Sequence, residues 1–343
     1  MKALVLKEYM KFFYEEAPMP EFGPTDVLVA VKACGICGSD IHGMDGSTGR
    51  RRPPIIMGHE ASGVIAEAGS AVDGWKRGDR VTFDSTVFCG ACKFCRGGDI
   101  NLCDNRRVLG VSCENYRQHG AFAEFVTVPQ HILYRLPDGL SFENAAMVEP
   151  VSIAFHAVRR ARPILNDTAM VVGAGMIGLF VIQALRLAGC GKIVAVDVIP
   201  DKLEMACDLG ATHAIDSGKE DVVARIQHLT GGSGTDLAVE AVGMAQTLDL
   251  AVRCVRKGGS VTLIGNVSPK VELQLQMAVT RELTIYGSCA SSGEYPACLD
   301  MLVRGSVNVA PVLSAVAPLS EGASWFDRLY RKEPGLLKVI LKP

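Results

Sequence analysis

A glycine-rich turn between a predicted strand and a predicted helix constrains the fold more than any other feature. In TAMVVGAGMIGLFVIQAL, Gly173, Gly175 and Gly178 form the pattern G-x-G-x-x-G. The first glycine permits a tight turn, the second lets a pyrophosphate approach the backbone, and the third lets the helix pack closely on the strand. The pyrophosphate is expected at the helix N-terminus, on Met176 and Ile177. The pattern therefore predicts a dinucleotide-binding domain.

Short apolar strands alternate with helical stretches from about residue 155 to about residue 290. KIVAVD, DLAVEAVG, SVTLIG and LTIYGSCA have the pattern of strands, whereas PDKLEMACDLG and TLDLAVRCVRKGG have that of helices. This alternation is typical of a doubly wound parallel sheet. Asp197 ends the second strand, where a carboxylate would accept from both ribose hydroxyls and repel a 2′-phosphate. Because only Val198 and Ile199 follow, and no arginine, the sequence predicts NAD rather than NADP.

The residues before this region have a different pattern. DVLVAVKACG, ASGVIAEAG, DRVTFD and AEFVTV resemble strands, and helical signals are few. We therefore predict a β-rich domain over 1–154, the dinucleotide-binding domain over 155–290, and a tail over 291–343. The strand-like end of the tail, GLLKVILKP, is a candidate to return to the first domain.

Four cysteines lie within the short stretch FCGACKFCRGGDINLC, namely Cys89, Cys92, Cys95 and Cys103. Four thiolates this close can form a tetrahedral shell around Zn²⁺ that leaves no position for water, as in structural zinc sites. The alternative is two disulfides, which need an oxidising compartment. We expect no such compartment, because the N-terminal sequence lacks the apolar core and cleavage site of a signal peptide. The spacing therefore predicts a structural zinc lobe.

Cys37, His59, Glu60 and Glu149 are candidate ligands of a second zinc, but they are too scattered to form a local metal motif. They lie in ACGICGSDIH, MGHEASG and MVEPVSIAFHA. Taken singly, such a cysteine is most often a small core residue. Such a histidine is usually a hydrogen-bonded structural residue, and a glutamate before proline is usually a capped turn. The residues alone leave both interpretations open.

The order and separation of CGICGSDIH, GHEASGVI, the four-cysteine lobe, VEP and GAGMIG resemble the zinc-containing medium-chain alcohol dehydrogenases over essentially the whole chain. The animal alcohol dehydrogenases carry a cysteine where this chain has Glu149. With this glutamate, the chain resembles the sorbitol (L-iditol) and galactitol-1-phosphate dehydrogenase branch of the family. The resemblance implies an α/β fold, with a GroES-like β-rich catalytic domain joined to a Rossmann domain. It also implies that the tail returns to the catalytic domain.

The resemblance further implies a role for individual residues. Cys37 and His59 would bind a catalytic zinc, with Glu60 and Glu149 as alternative carboxylate ligands. Ser39 would hydrogen-bond the substrate alkoxide. His42 would pass the proton to solvent through the ribose, although a surface histidine is the alternative. The remaining implied contacts to the cofactor are Lys202, Val242, Ile264, Gly265, Asn266 and Ser288.

The implied reaction is oxidation of a secondary alcohol of a polyol to a ketone, with hydride transfer to NAD. A sugar-alcohol phosphate or an L-threonine-type substrate is the alternative. Arg50, Arg51 and Arg52 could hold a phosphate or carboxylate, or could lie in a solvated loop. An alternative from a different class is a relative that binds dinucleotide without catalysis, although such relatives typically lack the zinc ligands.

Charge and hydropathy exclude several classes of partner. The net charge of −2 gives no long-range attraction to nucleic acid or to an anionic membrane. No uninterrupted apolar run of about 18 residues predicts a membrane span. We therefore expect a cytoplasmic enzyme of small molecules. By resemblance it would be a homodimer or homotetramer, with Rossmann sheets paired through the strands near SVTLIG and LTIYGSC.

Overall fold

The computed structural model describes every residue from Met1 to Pro343, and the chain forms two compact units. The first unit contains Met1–Glu149 together with Tyr295–Pro343, and the second contains Pro150–Glu294. These divisions differ by a few residues from the boundaries predicted at 154/155 and 290/291. None of the helices has the length and apolarity needed to cross a membrane.

Short strands dominate the first unit up to residue 149, since β-branched and aromatic residues alternate there with turn residues. The strands are β1 Lys2–Glu8, β2 Lys11–Glu16, β3 Asp26–Gly35, β4 Ile55–Ile56, β5 Glu60–Ala68, β6 Arg80–Phe83, β7 Thr86–Val87, β8 Arg107–Val108, β9 Val111–Ser112, β10 Arg117–Gln118, β11 Phe125–Pro129 and β12 Leu133–Arg135. The helices are α1 Gly38–Gly43, α2 Lys93–Arg96 and α3 Phe142–Ala146, with 3-10 turns at Ile100–Leu102 and Gln130–Ile132.

The second unit alternates strands and helices. Its strands are β13 Thr168–Val172, β14 Lys192–Asp197, β15 His213–Asp216, β16 Thr235–Glu240, β17 Val255–Leu263 and β18 Thr284–Gly287. The helices are α4 Val148–Ala161, which begins just before the division, α5 Met176–Leu187, α6 Pro200–Asp208, α7 Val222–Leu229, α8 Ala245–Cys254 and α9 Leu275–Thr280. The six strands are parallel, in the order β15-β14-β13-β16-β17-β18. This is the 3-2-1-4-5-6 order of a doubly wound dinucleotide-binding sheet, so the predicted fold class is confirmed.

The tail supplies the remaining elements of the first unit. They are α10 Tyr295–Val303, β19 Leu313–Pro318, α11 Gly322–Tyr330 and β20 Lys338–Lys342, with 3-10 turns at Ala310–Val312 and Leu319–Glu321. In β20, Ile340 pairs with Gly35 and Leu341 with Cys34 of β3. The last strand therefore lies beside the part of β3 that leads to Cys37.

The large sheet of the first unit runs β12-β6-β5-β3-β20-β19, and β11 also pairs with β3. Smaller sheets pair β1 with β2 and β4, β7 with β8, and β9 with β10. Phe122 and Phe326 are fully buried in the core of this unit, and their rings meet edge to face at 5.6 Å between centroids. Burying each ring stabilises the fold by roughly 2 to 3 kcal/mol. The packed sheet gives the loops at its edge a rigid support.

Candidate metal centres and cofactor site

Cys37 is the N-cap of the short helix α1. The Cys37 sulfur accepts the Ser39 N–H at 3.4 Å, and the Cys37 N–H donates to Asp40 Oδ2 at 3.3 Å. Such reciprocal bonds are a capping box, which satisfies backbone donors that the first helical turn leaves without partners. The cap fixes the cysteine side chain at the start of the helix.

Cys37, His59 and Glu60 meet although His59 lies 22 positions after Cys37 in the chain. One ligand atom from each of the three lies within 4.8 Å of the others. The antiparallel pairing of β3 with β5 brings them together, because it sets Gly35 opposite Glu60. His59 and Glu60 are buried, and neither His59 Nδ1 nor Glu60 Oε1 has a hydrogen-bond partner. A thiolate, an imidazole and a carboxylate that keeps one buried oxygen without a partner fit a zinc ion.

The Asp40 carboxylate pairs with both His59 and Arg51. This carboxylate is fully buried, and Oδ1 lies 3.5 Å from His59 Nδ1 while accepting from Arg51 Nε at 3.1 Å and Nη2 at 2.9 Å. Burial alone would raise the pKa of Asp40, but the positive charges of His59 and Arg51 hold it well below its usual range. Burial alone would lower the pKa of His59, but Asp40 and Cys37 raise it well above its usual value.

The three consecutive arginines have different environments. Arg50 and Arg52 are exposed, whereas Arg51 is buried. Besides Asp40, the Arg51 guanidinium donates to Arg50 O at 3.1 Å and to Ser39 Oγ at 3.3 Å. The interpretation of the run as a solvated loop is therefore wrong for Arg51, whose guanidinium is bound to Asp40. A buried carboxylate needs a paired cation, and Arg51 provides it.

Ser39 and His42 both lie on α1 and both are exposed. The Ser39 hydroxyl donates to the Cys37 sulfur at 3.3 Å, so Ser39 borders the metal-ligand group. The backbone carbonyl of His42 accepts from Ser47 Oγ at 2.8 Å, which fixes the last turn of the helix. Solvent can therefore reach both side chains.

Glu149 lies in the first turn of α4 and is not part of the compact group of three ligands. Its pKa is raised to about 8, first by burial and then by the negative charge of Glu60. The two carboxyl groups therefore influence each other electrostatically. Of the two predicted carboxylate ligands, Glu60 is the one whose oxygen is gathered with Cys37 and His59.

Lys338 is a residue of this region that sequence reasoning missed. It opens β20, is fully buried, and forms an ion pair with Glu60. Burial alone would lower the pKa of Lys338, but the charge of Glu60 raises it. The available signal was one lysine inside the apolar run GLLKVIL, at a position whose neighbours along the strand are core residues.

The four cysteines of the lobe bring their sulfur atoms within 4.8 Å of one another. The sulfur atoms of Cys92 and Cys95 are 3.5 Å apart. Two sulfur ligands of a tetrahedral zinc with Zn–S bonds of about 2.3 Å would be roughly 3.8 Å apart, which is close to this distance. The N–H groups of Cys89 and Asn105 each donate to Cys103 Sγ at 3.3 Å, and the Cys92 N–H donates to Cys89 Sγ at 3.4 Å. Donated N–H groups, that of Ala91 first, lower the pKa of Cys89. This arrangement fits thiolate ligands of zinc.

Replacing one lobe cysteine should release one zinc without touching the other metal group. Cys103→Ser is expected to lower the zinc content by one ion per chain and to open the segment 89–103 to protease. The physical reason is that a structural zinc supplies about 10 kcal/mol or more to a small metal-dependent fold. Metal analysis and limited proteolysis measure the two effects. Cys113→Ser, at a half-buried cysteine outside both groups, should change neither.

The glycine fingerprint adopts the turn that dinucleotide binding needs. Gly173 has φ of +95°, which other residues rarely adopt, and a Cβ on Gly178 would collide with Gly173 O. Gly175 is the N-cap of α5, where no side chain caps the helix and a Cβ would meet nothing within 4 Å. The N–H groups of Met176 and Ile177 therefore border open space that a pyrophosphate can occupy.

Asp197 ends β14 beside the fingerprint. Its Oδ2 accepts the Ala174 N–H at 2.7 Å, and Oδ1 accepts the N–H groups of Val198 at 2.8 Å and Ile199 at 3.0 Å. These bonds hold the carboxylate at the carboxyl end of its strand, the edge where open α/β sheets bind ligands. Among the other predicted cofactor contacts, Lys202 lies in α6. The rest lie just after the carboxyl ends of β16, β17 and β18, and they are Val242, Ile264, Gly265, Asn266 and Ser288.

Comparison with known proteins adds three findings. Residues 177–304 match the zinc-binding dehydrogenase family model, and residues 23–138 match the alcohol dehydrogenase GroES-like domain. The chain is 33% identical over 347 residues to sorbitol dehydrogenase of Bacillus subtilis (strain 168), covering 100% of this chain and 97% of the relative.

Solved structures share the whole architecture. Galactitol-1-phosphate dehydrogenase from Escherichia coli matches with a TM-score of 0.92 and 28% identity, covering 100% of both chains. A structure from Sinorhizobium meliloti 1021, described as that of a zinc-binding dehydrogenase bound to NADP, matches with a TM-score of 0.90 and 31% identity. That match covers 100% of this chain and 99% of the other.

Proposed function

The chain belongs to the zinc-binding dehydrogenases, and on that premise we propose that it oxidises a secondary alcohol of a polyol to a ketone and transfers hydride to NAD. The observation that carries the proposal is the gathering of Cys37, His59 and Glu60, one ligand atom of each within 4.8 Å. Glu149, in MVEP, and the names of the sorbitol and galactitol-1-phosphate relatives support a polyol over a simple alcohol.

Cys37, His59 and Glu60 would hold the catalytic zinc, with Glu149 as the alternative carboxylate ligand. A zinc ion here supplies Lewis acidity, which lowers the pKa of an alcohol hydroxyl toward neutrality. The carboxylate of Asp40 faces His59 Nδ1 at 3.5 Å and so leaves Nε2 as the metal-binding nitrogen. The Arg51 guanidinium keeps that carboxylate in place.

The proton of the alcohol would leave through Ser39 and His42. Ser39 Oγ is exposed next to the Cys37 sulfur, so it can accept the proton as the alcohol ionises. His42 lies three residues along the same helix and is exposed, so its imidazole can exchange a proton with water. The nicotinamide supplies the hydride acceptor.

NAD is proposed over NADP because Asp197 presents a carboxylate at the end of β14. A carboxylate there binds the ribose hydroxyls and repels a 2′-phosphate, and no arginine follows to bind one. Lys202 and the residues after the ends of β16, β17 and β18 would complete the contacts. Because a relative of 31% identity binds NADP, the role of Asp197 needs its own test.

Asp197→Asn should reduce the preference for NAD over NADP by about 10- to 100-fold in kcat/KM. The expected size corresponds to loss of about 1.5 to 3 kcal/mol from charged hydrogen bonds. Steady-state kinetics with both cofactors measure it. Asp216→Asn is the matched control, because Asp216 ends the neighbouring strand β15 in register with Asp197. Equal selectivity in wild type and Asp197→Asn would refute the ribose assignment.

The reaction itself is tested by following NADH formation with free polyols, polyol phosphates and L-threonine, each with and without a zinc chelator. Chelator-sensitive turnover that is fastest with a free polyol is the expected result. Faster turnover of a polyol phosphate or of L-threonine would show that the proposed substrate class is wrong, while the proposed zinc-dependent mechanism would stand. Protein that turns over none of them and carries no zinc, or one zinc per chain, would favour the non-catalytic dinucleotide-binding relative. An enzyme should carry two zinc ions per chain, and such a relative none or one.

A homodimer or homotetramer is part of the proposal, as is a cytoplasmic location. The strand β18 is at the edge of its parallel sheet, and its backbone is available for pairing on one side. Light scattering coupled to size exclusion would measure the mass of the assembly. A strictly monomeric enzyme would contradict this part alone.

A further inference from the structure

Lys338 has an environment that core packing does not explain. The side chain is fully buried, and the three following residues of β20, Val339, Ile340 and Leu341, are buried and apolar. A buried ammonium destabilises a fold unless it is paired and hydrogen-bonded. Here Nζ donates to Ile36 O at 2.9 Å and to Glu60 Oε2. The lysine is therefore bound to the backbone that leads into Cys37 and to a candidate metal ligand.

The two oxygens of Glu60 are not equivalent. Oε2 is held by Lys338, and a Cβ at position 35 would collide with this same oxygen, so Gly35 makes room for it. Oε1 is buried and has no hydrogen-bond partner. Since Glu60 is gathered with Cys37 and His59, Oε1 is the carboxylate oxygen left for a metal.

We propose that Lys338 is a positioning residue that holds Glu60 by Oε2 and thereby makes it a weak, replaceable ligand of the catalytic zinc. The inference rests on the proposed function, because it presupposes a metal at Cys37 and His59. An ammonium paired with the carboxylate withdraws negative charge from Oε1 and repels the metal ion. Glu60 can then yield its place to a substrate hydroxyl, whereas an unpaired glutamate would bind the metal too firmly.

Metal affinity separates this role from a merely structural one. In protein whose lobe retains zinc, Co²⁺ is titrated into the other site at pH 8 against a chromophoric chelator. The thiolate-to-cobalt absorption band that disappears in Cys37→Ser reports binding. Lys338→Met should bind Co²⁺ at least tenfold more tightly than wild type, and Lys338→Arg should stay within about twofold because it keeps the charge.

A Glu60→Gln background supplies the decisive control. Lys338→Met should raise Co²⁺ affinity far less there, because the amide carries no charge for the lysine to neutralise and only the direct repulsion between the ammonium and the metal is removed. This pair also guards against misfolding, since removing both charges together leaves no buried ion unpaired. Equal or weaker affinity in Lys338→Met, or the same gain in the Glu60→Gln background, would overturn the inference while leaving the proposed function standing. Absence of a Cys37-dependent band in the wild type would overturn both.

Discussion

Cys37→Ser is expected to lower kcat/KM by about 10³-fold or more and to reduce the zinc content from two ions per chain to one. The estimated loss corresponds to about 4 kcal/mol of Lewis-acid stabilisation that the variant can no longer provide. Serine is the right replacement, because its hydroxyl still caps α1 through the Ser39 N–H. The fold around the site should therefore survive, and only the thiolate ligand is lost.

NAD binding should be unchanged in this variant, since the glycine fingerprint and Asp197 belong to the second unit. Zinc content, steady-state turnover and NAD titration are measured on the same preparation. Cys113→Ser serves as the control, because Cys113 is half-buried like Cys37 and lies outside both metal groups. Wild-type turnover by Cys37→Ser with one zinc per chain would remove the catalytic metal from the mechanism.

The features that could be predicted well from the sequence are formed by residues that lie close together in the chain. The GroES-like and Rossmann domains are confirmed by the two family matches and by the parallel sheet. The fingerprint and the lobe were visible because every residue that forms them lies within one short segment. For the lobe, that segment is the 15 residues from Cys89 to Cys103. Local spacing there nearly determines local geometry.

The second metal group is different, because its members meet only through tertiary structure. Spacing gave no reason to join Cys37 to His59, and the resemblance to a family did so instead. The structure supplies the physical reason, which is the antiparallel register of β3 and β5. Of the two alternative carboxylate ligands that the resemblance implied, Glu60 belongs to the compact group, and Glu149 remains the proposed alternative.

The supporting charges were the hardest to predict. Arg51 stands in a run of three arginines, and Lys338 in a strand near the end of the chain, so both resemble ordinary surface residues in sequence. Each is buried because its partner is a buried carboxylate, Asp40 in one case and Glu60 in the other. Burial of a charge depends on a partner distant in the chain, which a local pattern does not contain.

The arginine run therefore offers a sharp test of structural against substrate-binding roles. Arg51→Met should reduce the free energy of unfolding of the first unit by about 3 to 5 kcal/mol, because it leaves the Asp40 carboxylate buried without its cation. Arg50→Met and Arg52→Met, at exposed positions, should change it by about 0.5 kcal/mol or less. Urea unfolding followed by tryptophan fluorescence reports on this unit, since both tryptophans, Trp75 and Trp325, lie in it.

Arg51→Lys should give an intermediate loss, because an ammonium keeps the charge but cannot repeat the two hydrogen bonds that Nε and Nη2 donate to Asp40. The same variant should weaken zinc binding at Cys37 and His59, since Asp40 faces His59 Nδ1. A phosphate-binding arginine would behave otherwise. Its loss would raise KM for polyol phosphates selectively and leave unfolding close to that of the two controls. That result for Arg51 would contradict its structural role and would indicate that Arg51 binds the substrate phosphate.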